Sequence, residues 1–141
     1  MGNEDRLFAI ADEIGMKPTS SLSPAQKTFK VVWELEAEVN NGGFAQYFSN
    51  SSGRDAPRAE AALRAIGADN CADLVAEAIG TVDGDGLNWA NDARRQSRID
   101  SLAANAGDLL NALDEKFYEY PDPLSELLTN FVAHYPNDFP L

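Results

Sequence analysis

Residues 40–53 read NNGGFAQYFSNSSG, and this stretch decides where the chain must turn. Asparagine and glycine tolerate backbone conformations of positive φ, so the Asn-Asn-Gly-Gly segment predicts that a helix ends near Asn40 and that the chain changes direction there. The aromatic residues Phe44, Tyr47 and Phe48 follow at spacing i, i+3, i+4. This spacing places three rings on one side of a short helix, so we expect that side to be buried.

The segment before the turn predicts a helix over about residues 24–40. Ser23 matches an N-cap, Pro24 the first helical position and Gln26 the partner of a capping box. Glu36 falls inside the apolar arc of this helix. Because a buried unpaired charge is costly, we expect Glu36 to accept hydrogen bonds from backbone N–H groups of the turn or of the helix start that follows. The alternative role, a catalytic acid, has no partner residue in the sequence.

The rest of the chain is also helical in pattern. Apolar residues recur at helical spacing, glycine and proline stand between the segments, and no segment alternates with the period of a strand. Asp69 and Asp122 are candidate helix N-caps. We therefore predict one all-α domain over residues 1–141, a bundle of about six or seven helices. The further helices are predicted over about 4–14, from Asp55 to Gly67, from Asp69 to a turn region at 81–86, over about 88–104 and 105–119, and from Asp122 to Pro136.

Charge is the abnormal property of the composition. The chain holds 11 basic and 23 acidic residues, for a formal net charge of −12. A field of this sign repels nucleic acid and anionic lipid, and it favours a basic protein as partner. Direct binding to nucleic acid or to a membrane surface is therefore not expected.

The remaining composition points to a cytoplasmic protein. A single cysteine cannot form an internal disulfide, which fits a reducing compartment. The first residues carry no apolar segment of signal-peptide length, and no run approaches the roughly 18 apolar residues of a membrane span.

Acidic residues recur at helical spacing in the second half of the chain. Carboxylates at i, i+4 advance about 6 Å along a helix, whereas one DNA strand presents a phosphate about every 3.4 Å. One stripe is thus about half as dense as a strand, and an imitation of a duplex needs several stripes side by side. The candidate partner-binding residues are Asp69, Asp73, Glu77, Asp83, Asp85, Asp92, Asp114, Glu115, Glu119, Asp122 and Glu126.

Catalytic and metal-binding patterns are weak. Cys71 and His134 stand alone without a supporting nucleophile motif, and soft ligands are too few for zinc. Residues 81–92 match several positions of an EF-hand loop, but Thr81 replaces the first aspartate and Asp92 the final glutamate. We therefore predict no catalytic residue, no metal and no cofactor.

The basic cluster of Arg94, Arg95 and Arg98 has two interpretations. Arg94 and Arg98 share one helix face and have the spacing to grip a phosphate. The interpretation that the net charge favours is that these arginines pair with surplus carboxylates, within the molecule or across a dimer.

A resemblance to known proteins rests on the central stretch and on shorter matches after it. The residues concerned are Asn40, Asn41, Gly42, Gly43, Phe44, Gln46, Tyr47, Phe48, Asn50, Ser51, Ser52 and Gly53, with Glu36, Glu38 and Val39 before them and residues 56–57, 61–67 and 113–118 after them. Together they resemble a family of small acidic bacterial domains, largely of unknown function, whose best-known member is a DNA-mimic protein. The resemblance covers about residues 30–134. It implies an all-α fold and, for the mimic, a homodimer whose acidic surface occupies the DNA-binding face of a transcriptional regulator.

Three functional hypotheses follow. The first is a non-enzymatic acidic binding protein that acts as a DNA mimic on a basic partner, with the central motif in a structural role. The second is an immunity or antitoxin-type protein that blocks a basic toxin, which an adjacent toxin gene would support. The third is a small ligand-binding domain or enzyme that needs a polar pocket beside the turn, formed by Glu36, Asn40, Asn41, Gln46 and Tyr47.

Overall fold

The structure, a computed structural model, describes residues 2–84, 86–105 and 107–140. These residues form one all-α domain with seven α-helices and, within the described ranges, no β-strand, as the sequence predicts. The helices are α1 (Asn3–Gly15), α2 (Pro24–Ser49), α3 (Ala56–Ala65), α4 (Asp69–Asp83), α5 (Asp92–Asn105), α6 (Gly107–Tyr118) and α7 (Leu124–His134). Short 3₁₀ turns at Thr19–Ser21 and Ser51–Asp55 precede and follow α2.

Helix α2 is the centre of the domain. It contacts α1, α3, α5 and α6, and its residues Phe29, Val32 and Leu35 are 0 % exposed. The ring of Phe29 stacks on Trp33 with centroids 5.7 Å apart. Helix α2 is long because it contains the predicted turn within it. Among the described helices, none combines the length and the apolar character that crossing a lipid bilayer requires.

Helix starts agree with the sequence in one case and differ in two. Ser23 and Gln26 form the predicted capping box. The Gln26 backbone N–H donates to Ser23 Oγ at 3.2 Å, and the Ser23 backbone N–H donates to Gln26 Oε1 at 3.0 Å. The prediction that Asp69 is an N-cap is wrong. Ala68 occupies the N-cap position of α4, Asp69 is the first helical residue, and no side chain caps the helix from the N-cap position. Asp122 does not cap α7 either, and its carboxylate lies at the start of α4 instead.

Two boundaries also differ from the predicted ones. Helix α4 continues through Asp83, so residues 81–83 are helical and not part of a turn. Helix α5 begins at Asp92 and not near Asn88, because residues 86–91 form a loop in which the Asn91 side chain accepts the Arg94 amide at 3.0 Å. An asparagine that bonds a backbone N–H three residues later acts as a helix N-cap, which explains the later start.

Candidate functional site

The Asn-Asn-Gly-Gly segment interrupts α2, as predicted. Gly43 has φ +78° and ψ −179°, and Gly42 is also outside the helical region. Backbone of the Gly43 type is essentially restricted to glycine. Beyond the break, Phe44, Tyr47 and Phe48 are at most 1 % exposed, so the prediction of a buried aromatic face is confirmed.

Asp114 of α6 holds the chain at this break. Its Oδ1 accepts a hydrogen bond from the Phe44 backbone N–H at 2.8 Å. A Cβ atom on Gly43 would lie 2.3 Å from Asp114 Oδ2, so only glycine leaves room for the carboxylate. Burial raises the pKa of Asp114 above its usual range, and the Phe44 N–H offsets part of that rise.

The predicted contacts of Glu36 are wrong. Glu36 is half-buried, and its Oε2 accepts a hydrogen bond from the Tyr120 hydroxyl at 2.7 Å, not from the turn backbone. The same hydroxyl accepts a bond from Asn40 Nδ2 at 2.7 Å. The carboxylate that accepts a backbone N–H at the turn is Asp114, which bonds Phe44. Asp114 lies 70 positions after Phe44 in sequence and reaches it because α6 packs against α2.

Arg95 of α5 holds the other end of the stretch. It is 0 % exposed and donates through Nε to the Phe48 carbonyl at 2.9 Å and through Nη2 to the Asn50 carbonyl at 3.1 Å. Its Nη1 donates to the Trp89 carbonyl, and its Nη2 also pairs with Asp92 Oδ1 at 2.6 Å. The Phe48 and Asn50 carbonyls lie at and just beyond the end of α2, where helical partners run out. One buried guanidinium therefore bonds the backbone carbonyls at the C-terminal end of α2 and links this end of the helix to α5.

The Ser-Ser-Gly end of the motif leaves room for the Arg95 side chain. A Cβ on Gly53 would lie 2.3 Å from the Phe48 carbonyl oxygen and 2.7 Å from Arg95 Nε. The Ser52 hydroxyl donates to the Tyr47 carbonyl at 3.1 Å, which satisfies another acceptor at the end of the helix. The motif is thus a structural unit whose glycines admit two buried charged side chains.

The charge pattern of the sequence does not predict either of these buried contacts. The acidic spacing predicts Asp114 in the acidic surface, and Arg95 belongs to a basic cluster. A signal was present for Asp114, since Leu110, Leu113 and Phe117 stand four residues before, one before and three after it on the buried side of α6. A charged residue at an apolar helical position indicates a buried partner.

The five residues of the pocket hypothesis do not converge. Glu36 and Asn40 line a cavity of about 350 Å³ together with Trp33, Phe8 and other residues of α1 and α2. The other three lie elsewhere: Gln46 donates to Glu38 at 2.8 Å, Tyr47 is inside the core and Asn41 is exposed.

Cys71 and His134 have separate, structural environments. Burial, with a contribution from nearby Asp122, raises the pKa of the Cys71 thiol to about 12. A thiol of this kind carries almost no thiolate at neutral pH and is a poor nucleophile. The His134 ring is exposed and its Nδ1 lies 2.7 Å from the Asn130 carbonyl oxygen of its own helix.

Asp122 is buried and acts at the start of α4. Its Oδ2 accepts the Cys71 backbone N–H at 2.7 Å and its Oδ1 the Asn70 side-chain amide at 3.1 Å. A carboxylate at a helix N-terminus satisfies an unpaired donor and interacts favourably with the helix dipole. The expectation of an exposed carboxylate is therefore wrong for Asp122, as it is for Asp114.

We expect Asp122→Ala to lower the free energy of unfolding by about 1–2 kcal/mol, the usual cost of losing a helix cap. Urea unfolding followed by circular dichroism measures the change. The control is Glu119→Ala, which removes an exposed carboxylate from the same segment and should change stability by less than about 0.5 kcal/mol. Equal losses in the two variants would contradict the capping role.

Asp92 is likewise engaged within the molecule. Its Oδ1 accepts Arg54 Nε at 2.9 Å and Arg95 Nη2 at 2.6 Å, and its Oδ2 accepts Arg54 Nη2. These bonds, with Arg54 first, hold the pKa of Asp92 well below its usual range. Asp92 thus ties the turn after α2 to the start of α5.

We expect Asp92→Asn to lose stability in a pH-dependent way. The depressed pKa means that the ionised carboxylate stabilises the fold above its unfolded-state pKa of about 4, and that this contribution disappears as pH falls through the lower folded-state value. The stability gap between wild type and Asp92→Asn should therefore be largest near pH 7 and shrink below about pH 4. Urea unfolding at pH 7, 5 and 3 measures the gap, and in an Arg54→Gln background it should vary less with pH. A gap that stays constant down to pH 3 would contradict the ion pair.

The comparisons with known proteins identify a family. A family model described as DMP19-like protein matches residues 20–135, which is most of the chain. The chain belongs to this family. The match contains the region 30–134 on which the sequence resemblance rests, and both buried charged contacts lie inside it. Comparison with curated proteins and with solved structures gave no match.

Six of the remaining candidate partner-binding carboxylates of this DMP19-like chain are exposed, and they fall into two groups. Asp69 and Asp73 share Arg64 of α3, at 3.7 and 2.8 Å from its guanidinium. The second group has no ion pair with any described residue. We call it the unpaired acidic set, and its members are Glu77, Glu115, Glu119 and Glu126.

The turn region at 81–86 does not form a calcium site from its described residues. Asp83 Oδ1 accepts the Leu87 backbone N–H at 2.9 Å and Trp89 Nε1 at 3.2 Å, so it stabilises the loop itself. Asp85 lies outside the described residues. Across the ranges that the structure describes, no three His, Cys, Asp or Glu side chains are grouped to hold a metal ion.

The three clustered arginines have different roles in the DMP19-like chain. Arg95 pairs with Asp92 in the interior, as described above. For Arg94 and Arg98, no carboxylate of the described residues lies within 4.0 Å of either guanidinium, so their pairing with carboxylates, within the molecule or across a dimer, stays a prediction. The arginine that pairs with Asp92 beside Arg95 is Arg54, which the sequence analysis did not single out.

Proposed function

We propose that this chain is a non-enzymatic acidic binding protein that acts as a DNA mimic. Its exposed carboxylates would occupy the DNA-binding surface of a basic partner protein, such as a transcriptional regulator. The observation that carries the proposal is the unpaired acidic set in a DMP19-like chain of net charge −12. A homodimer and a cytoplasmic location are parts of the same proposal.

The position of Asp122 supports a dense acidic region. Its bonds to Asn70 and Cys71 place the α6–α7 connection against the first turn of α4. Glu119 precedes Asp122 by three residues and Glu126 follows it by four, and one residue spans at most about 3.6 Å. Their Cα atoms are therefore within about 11 and 14 Å of the Asp122 Cα. Glu119 and Glu126 thus belong to the segment that contacts the first turn of α4, where Asp69 lies, so the acidic residues of this region come from more than one helix.

Free carboxylates suit a basic partner for two reasons. A carboxylate accepts charge-assisted hydrogen bonds from arginine and lysine, as a phosphate does. Carboxylates that have no ion pair with a described residue need not break one of these pairs when they bind. Asp114, Asp122 and Asp92 are already bonded inside the chain, so we assign the contact to the unpaired acidic set, with Asp69 and Asp73 beside it.

The test is a capture experiment with the immobilised full chain in about 50 mM and about 500 mM salt. The binding variant is the triple substitution Glu115→Gln, Glu119→Gln and Glu126→Gln. The matched control carries Asp5→Asn, Asp12→Asn and Glu13→Gln on α1, which changes the net charge by the same amount. Each captured protein is then tested for DNA binding, with the soluble chain as competitor.

We expect the wild type and the control to retain a basic DNA-binding protein at low salt and to release it at high salt, since screening weakens such contacts. The triple variant should lose it, and the wild-type chain should displace DNA from it. Failure to retain any basic protein at about 50 mM salt would contradict the proposal, as would equal retention by the triple variant. A captured basic protein that does not bind DNA would favour the immunity-type alternative.

A further inference from the structure

The loop between α4 and α5 borders a cavity of opposite charge to the rest of the chain. The cavity has a volume of about 490 Å³. Its lining residues are Gly86, Leu87, Asn88, Arg94, Ser97, Arg98 and Ser101. Among these lining residues the charged ones are two arginines, in a chain of net charge −12. Two cations that face one cavity whose described lining residues include no carboxylate need an explanation.

Arg98 is held in a fixed orientation at this cavity. Its Nε donates to the Val82 carbonyl in the last turn of α4 at 2.7 Å. Its guanidinium lies against Gly84, where a Cβ would be 2.4 Å from Nη2 and where the backbone has φ +59°. Among the described residues, no acceptor bonds either Nη group. The glycine and the carbonyl therefore orient a guanidinium whose terminal donors are not bonded by any described residue.

Arg94 adds a second guanidinium one turn earlier on the same helix. Residues at i and i+4 lie on one face, about 6 Å apart along the axis. Ser97 lies on the same cavity and supplies a hydroxyl. Three described carboxylates near the cavity in sequence do not pair with these arginines: Asp83 bonds the loop, Asp92 bonds Arg54 and Arg95, and Asp100 has no ion pair with a described residue. They therefore do not compete for the two arginines within the described chain.

We propose that this cavity binds the phosphate group of a small phosphorylated molecule or of inorganic phosphate. Two guanidiniums match a phosphate because their planar donors bond several of its oxygens at once. The volume lies within the range of small-molecule sites, about 300–1,000 Å³, so a nucleoside-sized ester fits as well as the bare anion. The site is separate from the unpaired acidic set and does not depend on DNA mimicry.

The test is a titration of ¹H–¹⁵N amide shifts in the full chain with sodium phosphate and, separately, with adenosine monophosphate. The pH is held at 7 and sodium chloride keeps the ionic strength constant. The variant is Arg94→Gln, because the Arg94 side chain makes no hydrogen bond or ion pair to a described residue. The control is Arg58→Gln on α3, an exposed arginine that pairs with Asp55.

We expect saturable shifts for residues 86–88 and 94–98 in the wild type and the Arg58→Gln control, and about tenfold weaker binding in Arg94→Gln. Tighter binding of the monophosphate than of phosphate would identify an ester as the ligand, and equal binding would identify inorganic phosphate. Absence of saturable shifts with both probes would overturn the proposal. So would equal affinity in Arg94→Gln and the control.

Discussion

Replacement of Arg95 by methionine is expected to lower the free energy of unfolding by about 4 kcal/mol. The substitution leaves the carbonyls of Phe48, Asn50 and Trp89 without their donor in the interior. An unsatisfied buried polar group costs about 1–3 kcal/mol, and three carbonyls lose their donor here. Loss of the ion pair adds little, because the Asp92 side chain is 41 % exposed and keeps Arg54 as a partner. Methionine has a similar length, so the loss of packing is small. Urea unfolding followed by circular dichroism measures the effect.

The control for Arg95 is its neighbour Arg94. Arg94→Met removes the same charge from an exposed position that has no ion pair with a described residue, so its effect should stay within about 0.5 kcal/mol. Because both variants change the net charge by the same amount, the difference between their unfolding free energies reports the loss of the buried hydrogen bonds of Arg95. If the two variants lose the same stability, the buried guanidinium does not join α5 to the end of α2 in the way described.

Substitution of Gly43 by valine is expected to destabilise the fold by about 3 kcal/mol. Backbone of the Gly43 type costs about 1–3 kcal/mol in other residues. The new Cβ would also lie 2.3 Å from Asp114 Oδ2, so the carboxylate must leave its bond to the Phe44 amide. A lost hydrogen bond of a buried amide adds about 1–3 kcal/mol. Urea unfolding again measures the loss.

Two comparisons test the cause of the Gly43 effect. Gly80→Val places the same side chain in α4 where a Cβ meets nothing within 4 Å, so its effect should be small. In an Asp114→Ala background the cost of Gly43→Val should fall, since contacting residues are energetically coupled. A Gly43→Val protein that folds as stably as the wild type but no longer binds its partner would make the turn the binding site.

The sequence by itself determined the local structure of this protein. Helical periodicity predicts the helices because each must bury one apolar face, and it places the aromatic residues of the motif in the core. Ser23 and Gln26 define the start of α2 because their contacts span three residues. Gly43 marks the break in α2, since its backbone conformation is itself a local property.

The tertiary structure alone decided which charged residues are available to a partner. Asp114, Asp122 and Arg95 belong to the acidic stripes and the basic cluster in sequence, yet each is buried against backbone groups 45 or more positions away. Helix spacing reports which side of one helix a residue occupies, but the donor or acceptor it meets depends on how helices pack. For the same reason the glycine motif takes part in the scaffold, and fewer carboxylates remain exposed without an ion pair to a described residue than the acidic stripes of the sequence indicate.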